Sequence, residues 1–179
     1  MKHYIYVGIA LTAFLASSAY PVELGNPMDT PLGRQFRAEV DALTFSAKVL
    51  PASCRLLREI RTTPIFPATT NPFVTDDARL IRFVSQIGFG SDSIRDISVA
   101  MSALYYNSQP QHEVGVWAIR FKSGEAVSSA RSSLSRRDVW VRDLMVATVW
   151  RDDDAGRACQ TAIETHLAKN GFTKWNAKR

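Results

Sequence analysis

Residues 97–121 read ISVAMSALYYNSQPQHEVGVWAIRF, two apolar runs on either side of a turn-rich pentapeptide. In the first run Ile97, Val99, Met101, Ala103 and Tyr105 alternate with smaller or more polar neighbours, the period of two that turns one side of a strand towards a core. In the second run Trp117, Ile119 and Phe121 share a face. The connection NSQPQ is far too short for the crossover that a parallel pair needs, so the two strands are expected to form an antiparallel hairpin.

Helical patterns flank this hairpin. Upstream, Thr30 stands as a cap with Pro31 at the first helical position, and Phe36, Val40, Leu43 and Ala47 repeat at helical spacing until Leu50, where Pro51 disfavours continuation. A short apolar piece at Leu56, Leu57 and Ile60 leads into a Pro/Thr-rich connection through Pro64, Pro67 and Pro72. Thr75 then reads as the cap of a second helix, with Asp76 and Asp77 in its first turn, Leu80, Ile81, Val84 and Ile87 on its apolar side, and Gly88 and Gly90 as its stop. Downstream of the hairpin, Val127, Ala130 and Leu134 mark a helix that starts from Ser123.

The segment DVWVRDLMVATVW, residues 138–150, predicts two short strands around a tight turn at Arg142-Asp143. Asp152, Asp153 and Asp154 precede a last helix whose core face is Ala155, Cys159, Ala162, Ile163 and Leu167, closed by Asn170-Gly171. No regular strand-helix alternation supports a doubly wound parallel sheet. The expected fold is α+β: an antiparallel sheet of three to four strands with helices packed mainly on one face, loosely ferredoxin-like or cystatin-like in architecture alone. The domain is expected over residues 30–171, after an extended arm at 20–29 and before a basic C-terminal tail at 172–179.

The first 20 residues, MKHYIYVGIALTAFLASSAY, carry one early lysine, an apolar body from Tyr4 to Ala16 and small residues at Ser17 and Ala19. That is the pattern of a secretory signal peptide, cleaved after Ala19. The apolar body falls short of the ~20 residues of a membrane-spanning helix, so no stable membrane anchor is expected. The expected location is the periplasm or the exterior. Cleavage leaves 21 Lys and Arg against 17 Asp and Glu, with no long basic run, which speaks against nucleic acid as a partner. Cys54 and Cys159 are the only cysteines and lack a CxxC arrangement, so an exported chain is expected to join them in a disulfide.

Chemistry is thinly represented. His3 leaves with the leader, so His112 and His166 are the only imidazoles of the mature chain, too few beside a disulfide to suggest a zinc site. No G-x-S-x-G occurs, and the acidic triplet is accounted for as a helix start in preference to a calcium patch, because Arg151 and Arg157 flank it. Candidate partner contacts are Ile65, Phe66 and Phe73 in the Pro/Thr connection and His112 in the hairpin turn; a candidate aromatic surface comprises Trp117, Trp140 and Trp150. The leading expectation is an exported accessory domain that binds a protein or a small ligand, without catalysis, cofactor or metal. The alternative is a small secreted hydrolase, which requires a pocket holding His112 or His166 beside Asp, Glu or Ser.

Overall fold

The hairpin read from residues 97–121 is the centre of the molecule: β3 (Ile97–Tyr106) pairs antiparallel with β4 (Glu113–Phe121) over nearly their whole length. The structure, a computed structural model, describes residues 30–45, 50–56, 71–90, 95–106, 112–134 and 138–175. Upstream lie α1 (Pro31–Gln35), α2 (Arg37–Leu43), β1 (Arg55–Leu56), β2 (Phe73–Thr75) and α3 (Ala78–Phe89); downstream follow α4 (Gly124–Leu134), β5 (Val139–Arg142), β6 (Met145–Arg151), α5 (Arg157–Lys169) and β7 (Thr173–Trp175).

All pairings are antiparallel, in the order β1-β3-β4-β6-β5-β7, with β2 sharing the outer edge of β3 with β1. Between β2 and β1 the side chain of Asn71 completes that edge: its amide donates to the Leu104 carbonyl (2.7 Å) and its oxygen accepts the Leu104 N–H (3.0 Å). The α+β class and the antiparallel sheet therefore stand. The expected three to four strands become seven, because the three-residue β2 and β7 and the two-residue β1 are too short to show a period.

The expectation of helices mainly on one face is corrected. Val99, Met101 and Tyr105 of β3 and Val114, Val116 and Ala118 of β4 meet Phe36, Val40 and Leu43 near α1 and α2 and Ile163 and Leu167 of α5. On the other side Ala100 of β3 and Trp117, Ile119 and Phe121 of β4 meet Val84 and Phe89 of α3 and Val127 and Leu134 of α4. The central strands are thus buried on both faces, as apolar residues at odd and even positions of β4 require. Only a rough compatibility with ferredoxin-like or cystatin-like architecture remains.

Local signals fare unevenly. Thr30 does cap α1, its hydroxyl accepting the Gly33 N–H at 2.9 Å, but the expected helix to Leu50 breaks at Phe36 and ends at Leu43. Thr75 is the last residue of β2, and Asp77 is the cap of α3, accepting the N–H groups of Arg79 and Leu80. Gly90 (φ 65°) and Gly171 (φ 82°) take the left-handed conformation that ends helices. Residues 172–175, assigned to a tail, join the domain: Phe172 is buried and β7 pairs with β5. Among the described residues no helix is long and apolar enough to cross a membrane.

Cys54 and Cys159 form a disulfide, with Cα atoms 5.0 Å apart and both side chains fully buried. The bond ties α5 to the segment leading into β1, across the face that α1 and α2 also cover.

Candidate functional site

Neighbouring positions on β4 and β6 bring two tryptophans together. Gly115 pairs with Trp150 and Trp117 with Thr148, so the indoles of Trp117 and Trp150 lie diagonally on the α3 side and stack at 6.1 Å with planes 18° apart. Glycine makes the room. A Cβ on Gly115 would stand 2.5 Å from Cε2 of Trp150, and one on Gly88 would stand 2.7 Å from Cβ of Trp117. Trp140 does not join this pair; it packs on the opposite face, with the Lys174 ammonium 5.6 Å from its ring centre. The candidate aromatic surface is a pair, and the third ring belongs to the other layer.

Beside this pair β6 outruns its neighbour. The β5–β6 ladder ends at Trp140 and Ala147, while β6 continues to Arg151. Along the uncovered stretch opens a cleft of about 690 Å³. Ile87, Gly88, Trp117 and Trp150 line its α3 side, and Val149, Gln160 and Glu164 line its α5 side. Asp138 and Asp152 complete the lining, which contains no lysine or arginine. Ile87, expected on the buried face of its helix, is 48% exposed. Asp138 is partnered by the Lys174 ammonium at 3.4 Å, and Glu164 accepts from the Gln160 amide at 3.3 Å.

One end of β6 carries the acidic corner. His112 Nδ1 lies 2.5 Å from Asp153 Oδ2, and Asp153 Oδ1 accepts the Ala155 N–H at 3.0 Å, capping the single helical turn Asp154–Gly156 ahead of α5. Asp154 Oδ1 accepts from Arg151 (2.6 Å) and Arg157 (2.7 Å). The His112 hydrogen bond holds the Asp153 carboxyl below its ordinary range, and the two arginine hydrogen bonds do the same for Asp154. The reading of the triplet as a helix start thus falls on Asp153, with Asp154 as an arginine clamp.

Glu113 and Asp152 behave oppositely. Burial first, and the Asp152 charge second, push the Glu113 carboxyl up; burial is also the main cause for Asp152, which is pushed up as well. Because the folded carboxyl of Glu113 holds its proton more tightly than the unfolded one, the fold is favoured at low pH and loses that advantage as pH rises past the ordinary glutamate range. Glu113→Gln is therefore expected to raise stability at neutral pH, on the order of 0.5 kcal/mol for a like-charge pair across neighbouring strands. The gain should vanish below about pH 4. Urea titrations of both proteins across that range measure it, and a gain that persists in acid would show that the Glu113 charge is not its source.

His166 is remote in role: its Nε2 lies 3.2 Å from the Asp41 carbonyl and its ring 4.8 Å from that of Phe45, so it joins α5 to the end of α2. Phe73 sits in β2 and is only 8% exposed, packed in the α3-side core, which corrects its assignment as a contact residue. Ile65 and Phe66 lie outside the described residues, as do residues 107–111 of the turn that precedes His112. Sequence reasoning missed Ile87, Val149 and Glu164 as neighbours of one cleft, since they come from three elements. Among the described residues no group of three or more His, Cys, Asp or Glu is placed to hold a metal. No protein-family model matches the chain, and neither a curated protein nor a solved structure is detectably similar to it.

Proposed function

We propose that the protein is an exported, non-catalytic binding domain that holds a cationic, partly apolar ligand in the cleft beside β6. The observation that carries this reading is the composition of the cleft: exposed Ile87 and the Trp117–Trp150 pair supply apolar surface, and Asp152 and Glu164 supply carboxylates with no lysine or arginine in the lining. In a chain of formal net charge +5 such a local excess of acid favours a cation over the anions that the rest of the surface attracts. Export is supported by the leader sequence and by the buried disulfide. A hydrolase centred on His112 draws support from the Asp153 contact, but neither residue lines the cleft and His112 bonds a carboxylate in place of a nucleophile.

The test uses phenethylammonium as a probe, with phenylacetate as its opposite-charge control. Amide shifts in nuclear magnetic resonance spectra at Ile87, Thr148 and Glu164 should saturate with the cation, with a dissociation constant on the order of 1 mM, and stay unsaturated with the anion. Glu164→Lys should abolish the effect. Equal response to both probes, or saturable shifts confined to other regions, would remove the basis of the reading.

A further inference from the structure

The cleft is bounded by a strand edge as well as by side chains, and the register says which backbone groups that edge presents. The hairpin of β5 and β6 closes over Asp143 and Leu144, with Arg142 opposite Met145. In a two-residue hairpin the pair flanking the turn exchanges both backbone hydrogen bonds, and the bonding phase then repeats every second residue. Met145 and Ala147 accordingly face β5. By the same alternation Val149 and Arg151 turn their N–H and C=O groups away from β4, to the side where β5 has ended. Among the described residues no backbone group is bonded to that edge of β6 beyond Ala147.

Side chains alternate about the same line. Thr148 and Trp150 project to the α3 side, where Ile87 and Trp117 stand; Val149 projects to the α5 side, where Gln160 and Glu164 stand. A chain laid along this edge would run about 4.8 Å from β6 and would send successive side chains to opposite faces. One face offers apolar and aromatic surface, and the other a carboxylate, with Asp152 at the end of the strand. An isolated small cation uses one of these faces; an extended segment uses both and satisfies the backbone as well.

We propose that the open edge of β6 at Thr148–Arg151 takes up, as an added strand, an extended segment of a partner protein in which apolar residues alternate with lysine or arginine. The proposal rests on the cationic-ligand reading of the cleft and assigns that ligand its form. Charge selects the occupant: the carboxylates of Asp152 and Glu164 face the line of the added strand, and an acidic segment would bring like charges into a partly enclosed cleft. The added strand continues the path of β5 past Val139, so it needs no displacement of an existing pairing among the described residues.

The experiment uses the mature chain with its disulfide intact and a short capped peptide alternating lysine with valine. Two N-methylated isomers, one methylated at every lysine nitrogen and one at every valine nitrogen, separate backbone pairing from charge attraction. In a strand added to an edge only alternate N–H groups face the sheet, so one isomer should lose about tenfold or more in affinity and the other should stay within about threefold. A glutamate-valine peptide should not bind. Glu164→Lys should weaken the lysine-valine peptide about tenfold, and so should Val149→Pro, which removes an edge-facing N–H while leaving the β4 ladder its donors.

If Val149→Pro fails to fold, the isomer pair still decides. Equal binding by both isomers would overturn strand addition. So would a lysine-valine peptide that fails while phenethylammonium saturates the cleft, and in that case the cationic-ligand reading survives. Failure of both probes removes both claims. Concentration-dependent self-association of the mature chain, blocked by Glu164→Lys, would assign the edge to a second copy and overturn the partner segment proposed.

Discussion

Replacing Cys54 and Cys159 together with alanine is expected to lower the unfolding free energy by about 4 to 5 kcal/mol, the loop-closure contribution of a bridge joining positions 105 residues apart. A natural domain holds only about 5–15 kcal/mol in total, so the variant should sit close to its unfolding transition at ambient temperature. The effect is large because the bond does two jobs. It shortens the unfolded chain's accessible range, and in the folded protein it anchors α5 to the segment entering β1, where the two-residue ladder has little hold of its own. Both sulfurs are buried, so alanine leaves a gap among Tyr105, Val114 and Ile163 on the α5-side face. Denaturant titration of the oxidised parent, the reduced parent and the double variant separates the two causes: reduction removes the cross-link alone. A double variant within about 1 kcal/mol of the oxidised parent would overturn this account of the bridge.

Gly115→Ala should cost about 1–3 kcal/mol, the usual penalty for forcing a group into a packed interior. The added carbon would meet three atoms of the Trp150 indole at 2.5–2.6 Å, a collision that a rigid ring relieves only by moving as a whole. Its displacement breaks the stack with Trp117 and reshapes the cleft wall, so near-ultraviolet circular dichroism should change and phenethylammonium binding should fall together with stability. Trp150→Ala in the same chain removes the collision. The double variant should then be less destabilised than the sum of the single changes, a coupling that a double-mutant cycle reads directly. Additive losses would mean that Gly115 matters for some reason other than the indole.

The legible parts of this protein are those whose signal lies within a few residues. The alternation in residues 97–121 predicted the central hairpin, and residues 138–150 predicted two strands about Arg142-Asp143, where Asp143 indeed takes a positive φ of 50°. The cap at Thr30, the acidic start of the last helix and its Asn170-Gly171 stop were visible for the same reason. The cysteine pair was inferred from its number and from the leader, and the structure joins the two sulfurs. Phe73 shows where local reading goes astray: beside three prolines it looks like a loop residue, yet its ladder with Ser102 carries it into the core.

Sequence alone determined the class of each long element and the hairpin at the centre, because helix and strand periods are written in which neighbours along the chain are apolar. Tertiary structure decided the rest: that helices cover both faces of the sheet, that Trp140 is separated from Trp117 and Trp150, and that Ile87, Val149 and Glu164 border one cleft. These are relations between residues far apart in the chain. They depend on where β5 stops along β6 and on which side each helix docks, and those outcomes follow from the balance of packing over the whole core, which no short window of residues records.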